Sequence, residues 1–340
     1  MTGERYSRQK LFSPIGTEGQ QRIRDKHVLV IGAGALGTGN AEALVRAGIG
    51  KLTIVDRDYV EWSNLQRQQL YNEQDAIGRI PKAIAAKRRL QEINSTVEIE
   101  AHILDIMPEE LVNMALGVDL IIDATDNFET RMIINDVSQK HSIPWIYGAC
   151  VGSYGISFTI LPGVTPCLQC LLDEVPIGGL TCDTAGIISP AVSQVVSYQT
   201  TEALKILVED YESLSHRVVS FDLWKNEHTS LDVARLKRDE CPSCGDHKIY
   251  PSLKYENQTK TAVLCGRDSV QIRPASSHSV NLLGVATTLE NQGMQVERNP
   301  YLISFKVDFL RIVLFSDGRA LVHGTKEIKE AKSIYHRYFG

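Results

Sequence analysis

One short segment restricts the fold of this chain more than any other. His27-Val28-Leu29-Val30-Ile31 is an apolar, β-branched run, and Gly32-Ala33-Gly34-Ala35-Leu36-Gly37 follows it without a break. Residues 35–47 then carry apolar side chains at helical spacing and stop at Gly48. A strand, a glycine turn and a helix in that order open a β-α-β unit. The next strand, residues 51–56, ends on Asp56, 19 residues beyond Gly37. Glycines let the backbone approach a phosphate, and the helix start supplies N–H groups and a positive dipole end. An acid at that distance can accept bonds from ribose hydroxyls. The motif speaks for an adenosine nucleotide and leaves open which one.

The alternation continues through a helix at 81–93, a strand at 97–101, a helix at 108–116, a strand at 118–123, a helix at 128–140 and a strand opening at 144–148. Such repeats predict an α/β fold, a Rossmann-like and mainly parallel sheet with helices on both faces. Beyond residue 150 the pattern changes. Residues 154–161 alternate like an antiparallel strand, 162–186 read as an irregular loop, 188–207 as a long helix, and 217–222 and 228–233 as strands. From about Asn257, strand signals recur at 261–265, 270–272, 301–307, 310–315 and 320–323. Helices are expected over 280–291 and 327–338, with a hairpin turn at Ser316-Asp317-Gly318. The expectation is two domains, a nucleotide-binding domain at 1–255 continued by antiparallel strands, and a small α+β domain at 256–340 of unknown role. A chain of 340 residues agrees with that count at roughly 150 residues per domain.

Composition removes several classes. With 43% apolar and 23% charged residues the chain is ordinary globular material. A formal net charge of −5 argues against a broad nucleic-acid surface. No segment approaches the ~20 consecutive apolar residues of a membrane span, and the N-terminus lacks the apolar core of a secretory signal. A cytoplasmic protein with neither a nucleic acid nor a membrane as partner is expected.

The residues after the ribose position bear on the ligand. Asp56-Arg57-Asp58 is followed by Ser63-Asn64-Leu65-Gln66-Arg67-Gln68, and then by Lys82 behind Pro81. This set suits a polyphosphate with room for a metal. Arg67 and Lys82 can bind β- and γ-phosphate oxygens and stabilise departing pyrophosphate. Asp123-Ala124-Thr125-Asp126-Asn127 ends the fourth strand, at the same carboxyl edge of the sheet. Asp126 can hold Mg²⁺, the hard-cation role of a carboxylate, while Asp126 or Asn127 also suits a helix N-cap. Taken singly, each residue of the loop after Asp56, and Lys82, favours the plainer reading of a solvated loop or an ordinary helix face.

Four of the seven cysteines form two C-x-x-C pairs, Cys167/Cys170 and Cys241/Cys244. Four thiolates can close a tetrahedral zinc site. The pairs lie 70 residues apart, so spacing alone leaves their association open. A thioredoxin-like redox role competes, but neither pair has the strand-helix context it needs. Cys182 stands among small residues in GGLTCDTAG and reads either as a nucleophile or sulfur-relay residue or as an incidental thiol. Cys150 and Cys265 read as core cysteines.

Arg5-Tyr6-Ser7-Arg8-Gln9, the GAGALG loop, Asp56-x-Asp58, SNLQRQ, Pro81-Lys82, DATDN and the two C-x-x-C pairs run in unbroken order from about residue 4 to residue 250. The combination resembles the MoeB/ThiF family, bacterial relatives of ubiquitin-activating enzymes. The resemblance implies an adenylyltransferase that uses ATP and Mg²⁺ to adenylate the C-terminal glycine of a small ubiquitin-fold sulfur carrier, releasing pyrophosphate. That carrier would be of the ThiS type, for thiamine thiazole, or of the MoaD type, for molybdenum cofactor. The resemblance places the nucleotide on Gly32, Gly34, Ala35 and Gly37, the ribose on Asp56, and the phosphates on Asn64, Arg67 and Lys82. Asp58, Ser63, Gln66 and Asn127 join these as cofactor-binding positions. Asp126 would organise Mg²⁺.

By the same resemblance Arg8 reaches into a partner subunit's site, which implies a homodimer, and the four paired cysteines hold Zn²⁺. Cys182 matches a cysteine that can link covalently to the carrier, and a cysteine desulfurase is the kind of sulfur donor implied. One local departure is the stretch at 74–81, longer than usual before the Pro-Lys pair. The region from about Asn257 lies beyond the family's common core. Two other readings compete. An NAD-linked oxidoreductase on the same glycine loop would not need Arg67 and Lys82. A non-catalytic carrier-binding scaffold would have no use for an intact set of Arg8, Arg67, Lys82 and Asp126.

Overall fold

The structure, a computed structural model, describes residues 5–172, 185–254, 261–264, 268–273 and 279–339. Among them the chain gathers into two compact units. The first takes the described residues up to 254 apart from 78–80 and 185–186, and the second takes those from 261 onward together with these two short stretches.

The first unit opens with helices α1 (Ser7–Leu11) and α2 (Gly16–Asp25). An alternating series follows: β1 (His27–Ile31), α3 (Ala35–Ala47), β2 (Lys51–Asp56), α4 (Glu73–Ile77), α5 (Lys82–Ile93), β3 (Glu98–Ile103), α6 (Pro108–Met114), β4 (Leu120–Asp123), α7 (Phe128–His141) and β5 (Trp145–Val151). Then come β6 (Tyr154–Ile160), α8 (Leu168–Leu172), α9 (Ser189–Leu207), β7 (Arg217–Asp222) and β8 (Glu227–Asp232). The sheet order is β3-β2-β1-β4-β5-β6-β7-β8. Pairing is parallel from β3 to β5 and antiparallel from β5 to β8. The Rossmann-like sheet continued by antiparallel strands is therefore as expected. β1 sits centrally, and Val28 to Ile31 are buried, as a strand covered by helices on both faces must be.

Four helices escaped the sequence reading, α1, α2, α4 and α8, and all but α2 are only five residues long. The buried face of α2 consists of Gly19, Gln20 and Ile23, so it carries no apolar stripe to detect. α8 is only five residues long and lies inside the segment read as loop. β8, expected at 228–233, runs over Glu227–Asp232 with all six residues exposed.

The second unit is an antiparallel sheet of order β11-β12-β13-β14-β10-β9. Its strands are β9 (Thr261–Leu264), β10 (Ser269–Ile272), β11 (Val296–Arg298), β12 (Leu302–Val307), β13 (Leu310–Phe315) and β14 (Ala320–His323). Helices α10 (Leu282–Asn291) and α11 (Ile328–Phe339) contribute Ala286, Leu289, Ala331 and Ile334 to a core shared with Val270, Ile303, Phe305 and Ile312. The three-residue β11 went unread because two of its side chains are exposed and charged. Among the described residues, no helix is long and apolar enough to cross a membrane.

One buried polar side chain ties α9 to the centre of the first unit. Gln199 is fully buried. Its Nε2 donates to the carbonyls of Asp123 (2.8 Å) and Ile146 (3.3 Å), and its Oε1 accepts from Asn40 Nδ2 on α3 at 2.7 Å. It thus joins two strands and two helices through bonds that water cannot replace. Gln199→Leu is expected to lower unfolding free energy by about 1–3 kcal/mol, because buried donors and acceptors lose their partners. Urea titration checks this, and an unchanged midpoint and slope would contradict it.

Candidate nucleotide site and cysteine cluster

The glycine loop is shaped by crowding at two of its glycines and open at the third. Gly32 has φ +97°, and a Cβ there would lie 2.4 Å from the Ala124 carbonyl oxygen. A Cβ on Gly37 would lie 1.9 Å from the Gly32 carbonyl oxygen. At Gly34 it would meet only Gln68 Nε2, at 3.9 Å. Gly34 is also the N-cap of α3, where no side chain caps the helix. The first turn of α3, including Ala35, therefore offers backbone N–H groups beside an open space, the arrangement that receives an anion.

Acids and cations converge behind this loop. Asp56 Oδ2 accepts from Ala33 N–H at 2.6 Å, and its Oδ1 accepts from Asp58 N–H at 2.7 Å. Each oxygen keeps a second lone-pair direction for a further donor such as a ribose hydroxyl. Burial pushes the Asp56 carboxyl up from its usual range, and the Lys82 ammonium works in the opposite direction. Lys82 opens α5 with a buried side chain, its Nζ 3.4 Å from Asp58 Oδ2, and its backbone N–H donates to the Asp58 carbonyl at 2.9 Å. Tyr71 Oη lies 2.6 Å from the Ala33 carbonyl and 3.1 Å from that of Lys82, bridging the loop to α5. The sequence reading missed Tyr71. Its position between SNLQRQ and the Pro-Lys pair was the available signal.

The third acidic position lies alongside. Asp126 is strongly exposed, at 83% of its side-chain area, with Oδ1 3.9 Å from Arg57 Nη2. Arg57 also pairs with Asp105 at 3.2 Å. Burial alone would lower the Arg57 pKa; Asp105 and Asp126 outweigh it and hold the guanidinium charged. Asn127 is the N-cap of α7, its Oδ1 accepting from Thr130 N–H at 2.9 Å. The turn between Asp126 and β4 is anchored by a fully buried ion pair, Asp123 Oδ2 with Arg131 Nε at 3.0 Å. Arg131 also donates to the Thr125 carbonyl at 2.7 Å. Asp123 and Arg131 were missed as a pair because nothing in the sequence distinguishes a buried acid from an exposed one.

Other expected site residues have contacts of their own outside these pairs. Asn64 is buried, and its Oδ1 accepts from Glu61 N–H at 3.0 Å in the capping box of a short 3₁₀ turn, a structural bond. Ser63 and Gln66 are exposed. Arg67 Nη1 donates to the Ser63 carbonyl at 2.8 Å. With Gln66, Arg67 lines a groove of about 400 Å³ beside Gly39 and Glu42 of α3 and Ser193 of α9. Arg8 is exposed on α1. Its neighbours hold that helix down: Tyr6 Oη accepts from Asn94 Nδ2 at 2.9 Å, and Gln9 Nε2 donates to the Ala47 carbonyl at 2.9 Å. Cys182 and Cys265 lie outside the described residues, and Cys150 is half-buried.

The two C-x-x-C pairs meet. Cys167, Cys170, Cys241 and Cys244 are buried, and their Sγ atoms all lie within 4.8 Å of one another. Cys167 is 3.9 Å from Cys170 and 3.7 Å from Cys241, and Cys170 is 3.5 Å from Cys244. A disulfide needs about 2.05 Å. Four sulfurs about 2.3 Å from one ion stand roughly 3.8 Å apart along the edges of a tetrahedron, so the donor set fits zinc. Hydrogen bonds with Cys170 and Cys244, together with burial, push the Cys167 thiol up from its usual range.

The sequence profile of the ThiF family matches residues 6–243. The chain belongs to the ThiF family. A sulfur carrier protein ThiS adenylyltransferase of Bacillus subtilis (strain 168) is 57% identical over 341 residues, covering 100% of both chains. A sulfur carrier protein adenylyltransferase of Thermus thermophilus is 36% identical over 72% of this chain and 91% of its own length. Among solved structures, E. coli MccB in complex with ATP aligns with a TM-score of 0.61 at 21% identity, covering 71% of this chain and 74% of that one. That likeness concerns the fold alone. The ThiF match spans the glycine loop, the acid-cation cluster and most of the cysteine cluster as one continuous region.

Gly37→Ala and Gly34→Ala separate the two kinds of glycine. The first is expected to cost at least about 1–3 kcal/mol of stability through overpacking against Gly32. The second is expected to cost no more than about 1 kcal/mol, the loss of a good N-cap residue, while weakening ATP binding. Thermal melts and nucleotide titration of both proteins check this. Equal stability of the two variants would contradict it.

Proposed function

We propose that this ThiF-family chain is a nucleotidyltransferase that activates the C-terminal glycine of a ubiquitin-fold sulfur carrier of the ThiS type. The full-length match to a named ThiS adenylyltransferase carries the reading. It takes in the second unit, since it covers the whole chain, whereas the Thermus relative is matched over 72% of it.

The chemistry follows from the residues present. The carrier's terminal carboxylate is already ionised near neutral pH, so no general base is required. It attacks the α-phosphorus of ATP. The bond from that phosphorus to the bridging oxygen breaks, and pyrophosphate leaves with the electron pair. The product is an acyl-adenylate, a mixed anhydride whose carbonyl is open to a sulfur nucleophile. Backbone N–H groups around Gly34 and Ala35 receive phosphate oxygens, Asp56 orients the ribose, and Lys82 and Arg67 balance the charge that grows on pyrophosphate. Lys82 is poised for this by its pairing with Asp58. Asp126, exposed and acidic, would hold Mg²⁺, which when bound neutralises phosphate charge. The four clustered cysteines would hold one structural Zn²⁺, closing the end of the first unit.

Exposed Arg8, on a helix pinned by Tyr6 and Gln9, suits a homodimer in which each site is completed from the partner. Sulfur delivery by a cysteine desulfurase, with or without Cys182, extends the same reading. A reducing compartment such as the cytoplasm suits four unpaired thiols.

Three tests follow. Labelled pyrophosphate is expected to exchange into ATP with a ThiS-type carrier and not with a MoaD-type one. Exchange with neither, together with NAD-dependent turnover, would overturn the reading. Arg67→Ala and Asp126→Ala should each abolish exchange while the fold and metal content persist; near-normal activity in both would mean the phosphates bind elsewhere. Arg8→Ala subunits mixed with Asp126→Ala subunits should regain up to about a quarter of parental activity, since random mixing makes hybrid dimers with one intact site. No recovery in verified hybrids would exclude action in trans.

A further inference from the structure

Two adjacent residues of α7 hold both halves of the cysteine cluster. Asn135 Oδ1 accepts from the Leu168 N–H at 2.8 Å, next to Cys167. Asp136 Oδ1 accepts from Ser243 Oγ at 2.5 Å and from Asn135 Nδ2 at 3.2 Å, and Ser243 lies between Cys241 and Cys244. Asp136 Oδ2 accepts from the Ser252 N–H at 2.8 Å, fixing the chain that leaves the second cysteine pair. Asn135, Asp136 and Ser243 are all fully buried. A carboxylate this deep is costly unless its lone pairs are occupied. Here three donors occupy them, and two come from the cysteine-bearing segment and its exit.

We propose that Asn135 and Asp136 are the positioning residues of the metal cluster: one turn of α7 sets the two cysteine pairs face to face before any ion arrives. The cysteine pairs are separated by 70 residues, so their encounter carries a loop-closure cost. Bonds to a common helix meet that cost during folding rather than during metal capture. The metal then enters a preformed tetrahedron and leaves it slowly. None of these bonds touches the nucleotide cluster, so the role is distinct from adenylation. The inference rests on the zinc reading given above.

The test uses the full chain purified with its metal. Zinc content is measured first, and then the rate of zinc transfer to an excess of a chromogenic chelator. Asp136→Asn, Asn135→Ala and Ser243→Ala are expected to release zinc about 10–100-fold faster than the parent, the range typical of residues that orient metal ligands. The gap in melting temperature between loaded and chelated protein should also shrink in each variant. Parental release rates would overturn the proposal, as would equal losses in melting temperature for the loaded and stripped forms, which mark a merely structural role. If Asp136→Asn does not fold, Ser243→Ala and Asn135→Ala decide the matter alone. A parent protein that carries no zinc would instead overturn the metal reading itself.

Discussion

Everything at the nucleotide site depends on backbone crowding at the carboxyl ends of β1 and β4. These strands are parallel neighbours, so their chains leave the sheet side by side. Gly32 passes so close to the Ala124 carbonyl that a side chain has no room. That contact fixes where α3 starts, and therefore where its unpaired N–H groups point. It also brings the Asp126 turn to the same rim as Asp56, which lies at the end of the next parallel strand. The sheet delivers acids, backbone amides and a cation to this rim, the set that the proposed nucleotide reading calls for.

The rim carries charge inside low-dielectric surroundings, and three of its buried charges are matched by ion-pair partners. Asp123 is matched by Arg131, Asp58 by Lys82 and Arg57 by Asp105. Such pairs are weak evidence of stability, since burial offsets much of their attraction, yet removing one partner costs about 3–5 kcal/mol. Their value here is placement. Lys82 is held beside Asp58, where the proposed reading needs a cation, and Asp126 is left exposed by the same turn that Arg131 anchors. In a preorganised site these charges need no rearrangement when negative charge shifts to the leaving group.

α7 is the element that the nucleotide rim and the cysteine cluster share. Asn127 caps its start, Arg131 secures the β4 turn one helical turn later, and Asn135 and Asp136 grip both cysteine pairs. A single helix thus fixes the geometry of two chemically unrelated sites. The second unit has a core of its own, in which α10 and α11 share apolar contacts with an antiparallel sheet. Its sheet order, with β14 between β13 and β10, joins strands far apart in the chain.

Local pattern fixed much of this protein. The β1-turn-α3 unit, the parallel run of strands, the antiparallel continuation and the two cysteine pairs were all legible, because periodicity and glycine placement are properties of neighbouring residues. Tertiary structure decided what each polar side chain does. Asn64 and Asn127 cap turns, Arg67 lines a groove beside α9, Tyr71 and Gln199 bridge elements, and Asp136 stands among three donors. None of these roles can be read from a residue type, since an asparagine or an aspartate looks the same in water as in a core. Only long-range packing sets which donors surround it, and burial then makes those bonds obligatory.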